Sequence, residues 1–260
     1  MARRARIANY QPHQSSAPPP SQQLNHGLMV PLPIGSKQIG TTGFTVLFTL
    51  SGPESRELPP FAVFIYDDDS NGLNGIAATI NLWSPSNDSY QRACYNMDCG
   101  GFVMESNDIL GSALEPTSSY DGEQKDIIVE IWKDIELRRW RLKYKDIMVG
   151  YWPEDLFTHL RTGGTEAEWG GKVLNTNHNN IFTSTKMGSG RFADEGYGKA
   201  SYFKNQKVKT SSSGHNWIPP PTLRREVSDS RYYTILAEAD IDEFGNSGFF
   251  YGGPGNNNTS

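Results

Sequence analysis

Trp140, Leu142 and Tyr144 alternate with Arg141, Lys143 and Lys145, three large rings and chains on one side and three cations on the other. Successive side chains of an extended strand point to opposite faces, so this stretch has one face suited to a core and one to water. The same period of two recurs along the chain. Ile76, Ala78, Ile80 and Leu82 alternate with Ala77, Thr79, Asn81 and Trp83, and Ile127, Val129 and Ile131 with Ile128, Glu130 and Trp132. Residues 61–66 (FAVFIY) form a mostly apolar run closed by a turn cluster at residues 67–72. Residues 131–142 read as a hairpin with an acidic-basic connection. Further strands are expected around residues 169–174, 200–208 and 247–251.

Many short strands without strand–helix–strand alternation predict an all-β fold, an antiparallel β-sandwich. One short helix is expected at residues 153–160. Pro153 suits a first helical position, Glu154 and Asp155 suit the positive helix start, Leu156 and Leu160 lie one turn apart, and Gly163-Gly164 ends the segment. Residues 1–58 are rich in Pro, Ser and Gln at first, with a strand-like piece at residues 42–50, and read as a tail or linker. Residues 59–260 form the folded domain.

Several function classes are disfavoured. The net charge of −5 and scattered Lys and Arg argue against a nucleic-acid partner. No apolar run approaches the roughly 20 residues that span a bilayer, so no membrane partner is expected. The five histidines and two cysteines lack the spacing of a metal site, and no cofactor is expected. The Gly-rich residues 187–200 carry Ala193 and Ala200 where a phosphate loop needs Gly and Ser or Thr, so they read as turns. Gly188-Ser189-Gly190 is not a nucleophile elbow. The sequons at Asn87, Asn257 and Asn258 carry little weight.

Glu168 is the candidate catalytic residue. It precedes Trp169-Gly170-Gly171, and a strand carboxyl among large apolar side chains would lose solvation and suit general acid chemistry. An exposed strand glutamate is the bland alternative.

Beyond Glu168 the motifs carry a resemblance. Residues 149–157 (VGYWPEDLF), 168–171 (EWGG), 185–190 (TKMGSG), 196–203 (GYGKASYF) and 250–255 (FYGGPG) follow one another in an order and at a spacing that resemble the neprosin family of plants. Residues 75–83 (GIAATINLW), 94–99 (CYNMDC), 116–120 (PTSSY) and 131–134 (IWKD) match as well. The resemblance covers roughly residues 61–255.

It implies an antiparallel β-sandwich glutamic peptidase that cleaves next to proline at acid pH, its partner a proline-rich peptide or protein. Two glutamates on neighbouring strands would share the chemistry, one ionised to activate water and one protonated to assist the carbonyl and leaving amine. Glu168 falls at the second of these positions. The first has no counterpart, because residues 86–93 alone join Pro85 to Cys94 where the family carries a longer segment. Catalysis is therefore expected to be impaired, and nothing in the spacing of Glu105, Glu115 or Glu130 recommends them as substitutes. The resemblance also implies a disulfide between Cys94 and Cys99. Tyr232 stands where a cysteine of a second bridge is expected. The family is secreted, extracellular or vacuolar, whereas residues 1–60 show neither a signal peptide nor the family's activation peptide. The competing reading is a non-catalytic sandwich that binds glycan or Pro-rich wall protein through Trp83, Trp140, Trp152 and Trp169, rings that are more often core.

Overall fold

The computed structural model describes residues 28–30, 46–48, 60–68, 72–83, 101–106, 115–157, 160–173, 182–238, 240–242 and 245–256. Cys94 and Cys99 lie outside these residues, as does the junction between Pro85 and Cys94. The described chain is strand-rich. In order the strands are β1 (Leu28–Val30), β2 (Val46–Phe48), β3 (Phe61–Asp67), β4 (Leu73–Asn81), β5 (Val103–Met104), β6 (Asp126–Asp134) and β7 (Arg139–Tyr144). They continue as β8 (Ile147–Pro153), β9 (Glu166–Lys172), β10 (Ser201–Thr210), β11 (Trp217–Ile218), β12 (Arg224–Val227), β13 (Thr234–Glu238) and β14 (Gly248–Gly252).

They build two antiparallel sheets. The smaller has the order β1-β2-β9-β3-β12, and the larger β13-β14-β10-β4-β6-β7-β8-β5 with β11 on β10. The expected hairpin forms with Ile131 opposite Leu142. Both point inward with Trp140, while Arg141 and Lys143 stay on the solvent side. The sheets meet over one apolar core in which Phe64 and Trp169 of the smaller pack with Ile76, Ile131, Phe203 and Phe249 of the larger. Phe64 and Phe249 bring their ring centres to 4.9 Å. The Trp169 indole N–H donates to the Ala77 carbonyl oxygen at 3.3 Å, tying β9 to β4 across the core. A buried indole without an acceptor would carry a desolvation penalty, so this bond also fixes the ring.

Where a helix is expected at residues 153–160, the described residues 153–157 and 160 hold a single 3-10 turn, Glu154–Leu156. Pro153 ends β8, paired with Arg139, and Phe157 is already extended at φ −112° and ψ 135°. Ion pairing explains the difference. The Glu154 side chain turns inward, 8% exposed, onto Lys133 Nζ at 3.3 Å and the Arg138 guanidinium. Its charge serves that cluster rather than a helix start. Phe157 and Leu160 are both buried, and the Trp140 indole N–H donates to the Leu160 carbonyl at 3.0 Å. Residues 187–200 are turns and a 3-10 turn (Ala193–Glu195), as their glycines suggested.

Candidate functional site

The period of two decides what surrounds Glu168. On β9, Ala167 and Trp169 face the core and are fully buried, so Glu166, Glu168 and Lys172 occupy the opposite face of the sheet. The indole beside Glu168 in sequence is therefore across the sheet from it. Glu168 is nevertheless buried and stands beside the buried Ile65 on that face, while charged groups meet its carboxyl.

Lys172 is the nearest of these. Its Nζ lies 2.6 Å from Glu168 Oε2, with side-chain exposures of 15% and 9%. Between them on the same face stands Gly170, whose missing side chain leaves the gap over which they join. The glycine is required for another reason too. At φ +152° it lies so close to β3 that a Cβ would come within 2.1 Å of the Ala62 carbonyl oxygen.

The other neighbours come from the register. Glu166 stands directly opposite Asp67 on β3, and Glu168 opposite Ile65, which in turn faces Arg224 on β12. The Arg224 guanidinium reaches Asp67 by two bonds of 3.2 Å and lies 3.5 Å from Glu166 Oε2. Arg224 also pairs with Glu226, so four carboxyls, Asp67, Glu166, Glu168 and Glu226, share two cations. Burial, together with the negative charges of Glu168 and Asp67, pushes the Glu166 carboxyl up to about 7, and it shares a hydrogen bond with Asp67. The hydrogen bond from Arg224 holds Asp67 below the usual carboxylate range. Below neutrality Glu166 is therefore the proton holder and Asp67 the acceptor. Two carboxyls two residues apart on one strand face are separated by about 7 Å at their Cα atoms. Glu166 was missed in the sequence. Its signal was there, a second acid at Glu168 minus two, but its proton affinity follows from Asp67, which lies 99 positions away in the numbering and meets it through strand pairing.

The acids considered as substitutes lie elsewhere. Glu105 is bound by Arg139 and Arg141, and Glu130 by Lys143, with Glu130 on the larger sheet. Glu115 is exposed. Of the four tryptophans considered for ligand binding, Trp140 and Trp169 are fully buried and Trp83 nearly so. Trp152 packs its ring against Phe102 at 4.5 Å. The Trp83 indole N–H donates to the Asn81 side-chain oxygen, while the Asn81 amide donates to Ser118 Oγ at 3.0 Å and the Lys125 carbonyl at 3.1 Å. These are scaffold roles. Tyr232 stacks on Phe182 at 4.4 Å.

A cavity of about 630 Å³ opens beside β12 and β13, lined by Phe192, Asp194, Arg225, Tyr233 and Ile235 among others. Among the described residues no group of three His, Cys, Asp or Glu side chains could hold a metal ion. Compared with known families, the chain matches the sequence model of the Neprosin family over residues 72–254.

Proposed function

The chain belongs to the neprosin family, and on that premise we propose that it is a peptidase-type sandwich directed at proline-containing peptides in acid, its hydrolysis strongly impaired. The observation that carries the impairment is the Lys172–Glu168 ion pair. The Lys172 ammonium, 2.6 Å away, engages Glu168 Oε2 in a direct charge-assisted hydrogen bond, so that oxygen is already committed to a partner within the protein. Glu166 does hold a proton, yet its hydrogen bond runs to Asp67 and it lies next to Arg224. Two-carboxylate hydrolysis needs an acid and a base positioned on either side of one scissile bond, and general acid–base assistance contributes about 10²- to 10⁴-fold. Misplacing one partner removes most of that.

The test is cleavage of a Pro-rich peptide at roughly pH 3, below the ordinary carboxylate range. The chain, Glu168→Gln, and a version carrying the family's segment between Pro85 and Cys94 are compared with an intact relative. We expect the chain to fall at least about 100-fold short of the relative, and the restored version to gain. Cleavage at the relative's rate, abolished by Glu168→Gln, would show that Glu168 already has a working partner and would end the impaired reading.

A further inference from the structure

The outer face of the larger sheet carries a row of side chains that the peptidase reading leaves unused. Strand pairing sets Trp217 opposite Lys209, Lys209 opposite Gly75, and Gly75 opposite Trp132. The row continues from Trp132 to Arg141, from Arg141 to Tyr151, and from Tyr151 to Val103. It crosses seven strands, β11-β10-β4-β6-β7-β8-β5, in unbroken register. Directly paired residues project to the same face. Their sequence neighbours Val208, Ile76, Ile131 and Leu142 are core residues, so the row points away from the core.

Its composition alternates rings and cations, with every member except Gly75 half-buried or exposed. Lys209 Nζ lies 4.8 Å from the Trp217 ring centre and 5.5 Å from that of Trp132. Arg141 lies over Trp132 at 5.9 Å. Gly75 is a notch in the middle. A Cβ there would come within 2.9 Å of the Trp217 ring and 3.0 Å of the Trp132 Cβ, so the absent side chain lets the Trp217 ring settle beside Trp132.

Charge distinguishes the two halves. Arg139 and Arg141 are neutralised by Glu105 and Asp134, and Lys143 by Glu130. Lys209, and Lys207 on the same face of β10, have no carboxylate within ion-pair distance among the described residues. Burial lowers the Lys209 ammonium from its ordinary range, with Glu130 acting against that at a distance. A partly desolvated cation between two indoles, on a chain of net charge −5, is a local site for an anion.

Stacking of cation on ring stabilises a sheet by itself, which accounts for one or two such pairs. It does not account for flat rings left half-open along a row whose unneutralised cations lie at the tryptophan end. We propose that this face binds an acidic polysaccharide, a polyuronate chain. Its sugar rings lie on Trp217 and Trp132 and its carboxylates meet Lys209 and Lys207, whereas the Tyr151 ring is covered by the Arg139 guanidinium at 4.4 Å and bounds the site. The row is extended as a linear polymer is, and the strand spacing of about 4.8 Å is on the scale of one sugar unit. Glu168 lies on the other sheet, so this binding is independent of the peptidase reading.

The experiment is affinity electrophoresis and titration calorimetry of the full chain with polygalacturonate. Neutral β-glucan, a polyproline peptide and polyuridylate serve as comparison ligands. Expected is binding to polygalacturonate that weakens as salt rises, with little affinity for neutral glucan. Trp217→Ala and Lys209→Gln should each weaken it about tenfold, while Glu168→Gln binds as the unmodified chain does. Lys207→Glu changes an exposed side chain and should weaken binding without altering thermal stability, which separates recognition from folding. Absence of polygalacturonate binding overturns the proposal. So does binding unaffected by the three substitutions on this face, or preference for neutral glucan, polyproline or polyuridylate.

Discussion

Lys172 and Glu168 join side chains at 2.6 Å along one strand, four residues apart, over a glycine. Strand residues that far apart are separated by about 13 Å at their Cα atoms, so both side chains must lie extended along the sheet to meet. The pair closes over the residue to which the family resemblance assigns catalysis. It makes Lys172 the side chain to change first.

Lys172→Met should lower stability by about 2 kcal/mol, because it leaves a nearly buried carboxylate without its cation. The double variant Lys172→Met with Glu168→Gln should recover a good part of that loss. Urea unfolding of the four proteins of this cycle measures the coupling. A coupling near zero would mean that the pair is not populated in solution.

Glu166 gives the fold a pH dependence of defined sign. Its carboxyl is raised by burial, and by the charges of Glu168 and Asp67, from 4.5 to about 7. The groups facing it are Asp67 and Arg224 from β3 and β12, with Glu168 on its own strand. Between the two pKa values the folded protein holds a proton that the unfolded chain has released. Stability contributed by this group is therefore complete below about 4.5, falls as pH rises towards about 7, and is level above that. For a side chain 22% exposed, solvent screening reduces the effect to the order of 1 kcal/mol. Glu166→Gln keeps a donor for Asp67 without a titrating proton. Its melting temperature should exceed that of the unmodified chain above neutrality and show less decline from pH 5 to 7. Identical pH profiles for the two proteins would contradict the assignment.

Trp169→Phe tests the separation of the two faces of β9. It removes the bond to the Ala77 carbonyl and part of a fully buried ring, and should lower stability by about 2–3 kcal/mol. It should leave the pH dependence due to Glu166 unchanged, because the indole and the carboxyls lie on opposite sides of the sheet. A pH profile altered by Trp169→Phe would mean that the indole reaches the charged cluster.

The sequence by itself determined the strands that the core demands. Period-two runs such as those around Ile76, Ile131 and Trp140 name their own buried face, because a one-residue slip would turn every apolar side chain to water. The family motifs added the identity of the sandwich and the position of Glu168. Tertiary structure alone decided the rest. The short strands Trp217–Ile218 and Arg224–Val227 carry too few residues for a period to show, and they form because β10 and β3 offer them an edge. The helix expected after Pro153 gave way to an ion-pair cluster, since Lys133 lies 21 residues before Glu154 and local propensity cannot register it. The proton on Glu166 and the row from Trp217 to Val103 are likewise products of register. Each joins residues distant in the chain whose types are ordinary, and only strand pairing makes them neighbours.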